Sequence, residues 1–127
     1  MKEAATPQPS PAPTGRIQKI DVESWDRRDY FVAYRDWDFP YINIGAHVDV
    51  TPLLAFAEAN GLSSYLTLVH VAHRTALGIV NFRYRIVDGE PVLLDTMDLT
   101  FTYMPTGREL FINIPVEYVD DLFAFHS

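Results

Sequence analysis

YLTLVHVAHRTALGIVNFRYRIV, residues 65–87, decides the fold class because its hydrophobic period changes partway along. From Tyr65 to about Val80 the pattern is helical and apolar almost all round. Its one narrow polar arc consists of Thr67, His70, His73 and Arg74, so the helix is expected to be largely buried, with Ser63 or Ser64 as its cap. From Phe82 onward the period is two, with Phe82, Tyr84 and Ile86 alternating against Arg83 and Arg85. Asp88-Gly89 then predicts a tight hairpin turn into a second strand, PVLLD.

Working outward from this junction, LTFTYM (99–104) alternates Leu99, Phe101 and Tyr103 against Thr100, Thr102 and Met104. After a turn over Pro105 to Gly107, Leu110, Ile112, Ile114 and Val116 share one face of a further strand. Upstream, Thr51 as N-cap, Pro52 as first residue and Gly61 as C-terminal cap bracket a short helix. YINIGAHVDV (41–50) is the plainest strand pattern in the chain: Ile42, Ile44, Ala46, Val48 and Val50 on one face, Tyr41, Asn43, Gly45, His47 and Asp49 on the other. DVESWDRRDYFVAYR (21–35) reads as a helix with an acidic first turn. VEYVDDLFAFHS (116–127) reads as a helix that has only begun, with Asp120 or Asp121 in its first turn. Helices early and antiparallel strands late predict an α/β fold, a two-layer sandwich with the helices packed on a mostly antiparallel sheet.

Composition bounds the function. The chain has 127 residues, 48 % of them hydrophobic and 21 % charged, as expected of one globular domain. Residues 1–15, with Pro7, Pro9, Pro11 and Pro13, read as a disordered polyproline-like tail lacking the apolar core of a secretory signal. The absence of cysteine excludes disulfides and thiolate chemistry and leaves a cytoplasmic setting as the expectation. A net charge of −7 opposes nucleic acid and anionic membranes as partners, and no apolar run approaches the roughly 20 residues of a membrane span.

Several residues carry candidate chemistry. His70 and His73, three apart on one helix, have the spacing of two metal ligands, but no third ligand stands at helical spacing; a polar seam on a buried helix accounts for them, and no metal is expected. His47 and Asp49 share a strand face and can form an orienting pair or simply an exposed polar face. Arg83 and Arg85 suit an anion, but no glycine-rich phosphate loop accompanies them. His126 lies at the chain end and supports no inference. None of these patterns discloses an enzyme by itself.

One combination does more. Trp25, Arg27, Arg28, Phe31 and Tyr34 in WDRRDYFVAY, followed by the alternating strand and DVTPL (49–53), resemble the opening of the chloramphenicol acetyltransferase family. NFRYRIVDGEPVLLD (81–95) is similar to that family's Phe-Arg-x-Arg-Ile hairpin, and DLTFTYMPTGRELF (98–111) to its paired strands. The resemblance runs over about residues 17 to 127 and implies that residues 16–127 form the N-terminal part of such a domain. It further implies acetyl transfer from acetyl-CoA, as co-substrate, to a hydroxyl of chloramphenicol or a similar small alcohol, in a homotrimer with sites between subunits. Tyr34, Thr102 and Phe111 match residues that line the acceptor pocket. Ile42 stands where an aromatic residue is frequent, and Ala33 where many members carry Phe. Arg27 matches an arginine that pairs with the aspartate of a His-His-x-x-x-Asp-Gly motif, whose histidine takes the alcohol's proton. That motif does not occur in these 127 residues. The expectation is therefore a polypeptide without a catalytic residue, inactive alone, with Arg27 exposed or differently paired. The alternative is a non-catalytic small-ligand-binding or assembly module, with a complementary half-domain as partner.

Overall fold

The computed structural model describes residues 15–127, so the proline-rich leader, Gly15 apart, lies outside the described residues. Two small antiparallel sheets carry the fold. In the first, β1 (Ile17–Lys19), β3 (Glu90–Leu94) and β2 (Tyr84–Val87) lie in the order β1-β3-β2, with Gln18 opposite Leu93 and Arg85 opposite Val92. The second is a ribbon of β4 (Leu99–Tyr103) and β5 (Ile112–Val116), with Phe101 opposite Ile114 and Thr102 opposite Asn113. Four helices accompany them: α1 (Arg28–Tyr34), α2 (Thr51–Ala59), α3 (Ser64–Gly78) and α4 (Leu122–Phe125). This is the mixed helix and antiparallel-sheet class that the change of period predicts. The three-residue strand β1 escaped the sequence reading.

Local chemistry explains most element ends. The β2–β3 turn holds Asp88 at φ 51° and Gly89 at φ 80°, the two left-handed residues of a type I′ turn whose twist matches its strands. Ser63 caps α3 by accepting from the Leu66 N–H at 3.3 Å. Helix α2 closes in a Schellman motif: the Leu62 N–H donates to Ala57 O at 2.9 Å and the Gly61 N–H to Glu58 O at 3.1 Å. Its start differs by one residue from expectation. Val50 is the N-cap and the Asp49 carboxylate, one residue earlier, accepts the Thr51 N–H at 2.9 Å.

Four expectations need correction. The segment 21–35 is not one helix: a 3₁₀ turn at Val22–Ser24 is followed by extended backbone at Trp25, and α1 begins only at Arg28. The break seats the Trp25 ring edge-on to Tyr84 of β2 at 5.0 Å and 6.1 Å from Phe31. Arg83 lies in the 3₁₀ turn Val80–Arg83, before the strand that was to display it. Leu110, 77 % exposed, falls outside β5. Most consequentially, residues 41–50 form no ladder. They bear the strand pattern, yet no main-chain hydrogen bond among the described residues involves 38–48, and Ile42, Ile44 and Val48 are more than three-quarters exposed. A strand exists only with a neighbour to pair with.

The expectation that α3 is largely buried holds for three residues of its polar arc and fails on its apolar side. Thr67, His70 and His73 of its polar arc are buried, while Tyr65, Leu68 and Val71 are more than two-fifths exposed. Of the apolar residues, Ala57, Val92 and Leu94 form the fully buried core. The accessible surface is 10792 Å², against roughly 6,900 Å² for a compact monomer of this mass.

The Schellman cap can be tested without ambiguity. Gly61 has φ 66° and open space around it, so a methyl group there meets no neighbour and only the backbone conformation resists it. Gly61→Ala is expected to lower unfolding free energy by about 1 kcal/mol in urea titration; an unchanged midpoint would show that the turn is not held.

Candidate functional site

The residues matched to an acceptor pocket sit on three separate elements. Tyr34 ends α1, is 45 % exposed, and packs its ring edge-on against Trp37 at 4.7 Å. Ile42 lies in the unpaired stretch at 86 % exposure. Thr102 is on β4, where its carbonyl accepts from the Tyr65 hydroxyl of α3 at 3.0 Å and its own Oγ1 lies 3.5 Å from the same oxygen. Phe111 immediately precedes β5 and is 59 % exposed.

The ribbon register brings two of these together. With Thr102 opposite Asn113, continuing the ladder puts Phe111 opposite Met104, on the face that also carries Thr102. The other face carries Leu99, Phe101, Ile114 and Val116, all half-buried, so the ribbon turns its apolar side inward. Among the described residues no hydrogen bond or ring contact joins Tyr34 or Ile42 to Thr102 or Phe111. The two best-formed clefts lie elsewhere. One of about 200 Å³ is lined by Thr96, Asp98, Glu117 and Tyr118, the other of about 90 Å³ by Arg16, Gln18, Arg83 and neighbours. Both fall below the roughly 300 Å³ at which small-molecule pockets begin. The four matched residues therefore line neither of these clefts.

The remaining candidates have structural duties. His70 Nε2 lies 2.8 Å from Val119 O and His73 Nε2 lies 2.7 Å from Met97 O. A carbonyl only accepts, so each Nε2 carries the proton and donates it. The two imidazoles thus act as a polar seam, tying α3 to the linkers on either side of the ribbon. His47 and Asp49 form no pair, because the Asp49 carboxylate turns to Thr51, whose side-chain and backbone hydrogen bonds hold its pKa below the ordinary carboxylate value. Arg83 donates to Leu94 O at 2.9 Å, and Arg85 to Tyr84 O at 2.7 Å and Phe82 O at 2.8 Å; both guanidiniums cap carbonyls instead of facing an anion. Arg27 is exposed, forms no ion pair among the described residues, and lies with its guanidinium carbon 5.9 Å from the centre of the Tyr84 ring.

Two arrangements were invisible in the sequence. His126, at the chain end, faces Leu122 O with Nδ1 at 2.8 Å and Ser63 O with Nε2 at 3.3 Å, docking α4 on the start of α3. Tyr118 donates its hydroxyl to Asp120 at 2.6 Å, and Arg74 approaches the same carboxylate oxygen at 3.4 Å. The His126–Ser63 and Arg74–Asp120 contacts span dozens of residues and so carry no local spacing signal.

The Tyr118–Asp120 bond gives a pH signature with a definite sign. The Tyr118 hydroxyl, then the Arg74 charge, lower the Asp120 pKa below its ordinary 3.8, and the same bond raises the Tyr118 phenol above 10.0. Its contribution is complete between those values; it is lost as pH falls through the lowered carboxylate pKa, or rises through the raised phenol pKa. Tyr118→Phe is expected to destabilise the fold slightly near neutrality, with the difference from wild type shrinking as pH falls below 3.8 through the lowered carboxylate pKa. Thermal unfolding across pH measures it, and a difference independent of pH would refute the assignment.

Comparison with known proteins reaches the same place as the residue pattern. Residues 16–127 match the model of the family described as chloramphenicol acetyltransferase. Chloramphenicol acetyltransferase 2 of Escherichia coli is 26 % identical over 107 residues, which cover 84 % of this chain and 50 % of that protein. A chloramphenicol acetyltransferase of Clostridium perfringens is 27 % identical over 112 residues, covering 87 % and 51 %. A solved chloramphenicol acetyltransferase superposes with a TM-score of 0.75 at 31 % identity, covering 89 % of this chain and 55 % of that one. The chain spans about half the length of the curated relatives it matches. With the family model matching residues 16–127 and the solved structure sharing the fold, the chain belongs to the chloramphenicol acetyltransferase family.

Proposed function

We propose that this chain supplies the acceptor side of an O-acetyltransferase that moves an acetyl group from acetyl-CoA to a hydroxyl of chloramphenicol or a similar small alcohol. We further propose that the 127-residue polypeptide does not catalyse the reaction alone. In that reaction the alcohol oxygen attacks the thioester carbonyl while a base takes its proton, and the tetrahedral intermediate collapses with release of the coenzyme A thiol. Tyr34, Ile42, Thr102 and Phe111 are the residues assigned to the acceptor. Their aromatic and aliphatic surface holds an apolar ring, and the Thr102 hydroxyl gives it one polar contact. Ile42 and Ala33 in place of larger aromatics widen that wall, which favours an acceptor other than chloramphenicol itself. Arg27 is assigned a positioning role, resting on Tyr84 until an aspartate is presented to it.

The observation that carries this reading is the state of the four histidines. His70 and His73 spend Nε2 on carbonyls, His126 faces carbonyls with both nitrogens, and His47 stands exposed without an orienting partner among the described residues. A homotrimer and a cytoplasmic setting belong to the same proposal. They are supported by the family and by the absence, among the described residues, of a helix long and apolar enough to cross a membrane.

Thiol release from acetyl-CoA with chloramphenicol present is expected to stay at background for the purified chain. Turnover on the order of 1 s⁻¹ or faster would overturn the proposal.

A further inference from the structure

We propose that Met97 is an oxidative modification site, where a peroxide converts the thioether to a sulfoxide that Arg85 retains within the fold. Such a site needs only contacts made among the described residues and stands independently of the acetyltransferase reading. Arg85 Nη1 donates to Tyr84 O at 2.7 Å and to Phe82 O at 2.8 Å, which clamps the guanidinium at the start of β2. The clamp aims Nη2 across to the linker after β3, where it lies 2.8 Å from Met97 Sδ. Met97 is held from the other side as well, since its carbonyl accepts from His73 Nε2 at 2.7 Å. Arg85 is exposed and Met97 half-buried, so a small peroxide reaches the pair from solvent.

The two groups are mismatched as they stand. A guanidinium is a charged, strong donor, while a thioether sulfur is a weak acceptor. One added oxygen makes that sulfur polar and gives it a strong acceptor. In an apolar core such an oxygen has no partner and disrupts packing, whereas here a donor already stands beside it. The unbranched methionine side chain has the freedom to make room for the change. In the step itself a sulfur lone pair attacks one oxygen of hydrogen peroxide, the O–O bond breaks and an S–O bond forms. The departing hydroxide takes the proton carried by the transferred oxygen and leaves as water. Sulfur loses two electrons and the peroxide gains them, while Arg85 stays cationic and only donates a hydrogen bond. Because Arg85 stands on one side of the sulfur, one of the two sulfoxide epimers is favoured.

The test uses the whole chain. Met104→Leu leaves Met97 as the one methionine among the described residues. In that background, millimolar hydrogen peroxide is expected to oxidise Met97 in the folded protein. Peptide mapping is expected to find one sulfoxide epimer in roughly fivefold excess or more, against an even mixture when the chain is oxidised in urea. The thermal midpoint of the oxidised protein is expected to be unchanged or raised. Adding Arg85→Leu is expected to abolish the epimer excess and to make oxidation lower the midpoint by about 4 °C or more. The readouts with Arg85 present decide the matter even where Arg85→Leu does not fold. A Met97 that resists peroxide, an even epimer mixture from the folded chain, or a midpoint lowered by oxidation would each overturn the proposal.

Discussion

Two imidazole N–H groups hold this molecule together. Helix α3 faces the rest of the chain with its polar arc, so its docking depends on satisfying that arc: Thr67 Oγ1 on Ser63 O at 2.8 Å, His70 on Val119 O and His73 on Met97 O. Each bond turns a buried polar group, costly when unpaired, into an anchor on the main chain. Val119 and Met97 flank the β4–β5 ribbon, so the position of the ribbon relative to α3, and with it that of Thr102 beside Tyr65, follows from two donors on successive turns. Ring contacts reinforce them, with Tyr118 against His73 at 5.2 Å and Phe125 against His70 at 5.2 Å.

How much of this could be read from the residues depends on how local the cause is. The type I′ turn at Asp88-Gly89, the Ser63 cap and the Gly61 terminator are decided within a few residues, and all stand where the pattern puts them. The polar seam reading of His70 and His73 was available from spacing; their acceptors were not, because carbonyls carry no sequence signature. Periodicity failed where it needed a neighbour. Residues 41–50 alternate as well as β4 does, but β4 has β5 across a short turn while 41–50 has no facing strand among the described residues. The helix predicted over 21–35 yielded for a related reason: Trp25 gains more from the Tyr84 ring than from continuing a helix. Only the family pattern picked out Tyr34, Ile42, Thr102 and Phe111 as the residues proposed for the acceptor, since nothing in their own spacing distinguishes them from ordinary strand and helix positions.

The chain spans about half the length of the curated relatives it matches, and much of its apolar surface is exposed. Large side chains such as Phe39, Tyr41 and Ile44, each over 80 % exposed, carry the hydropathy of an interior without enclosure.

Strand β1 has a kinetic consequence. Its three residues meet β3 with Ile17 opposite Leu94, so joining them closes the long loop from residue 17 to residue 94. The β2–β3 hairpin and the α2–α3 pair close over far shorter distances and can assemble while the amino-terminal segment is still searching. Order therefore spreads from the middle of the polypeptide toward its front, and β1 is the element whose amide protons exchange first when the first sheet frays.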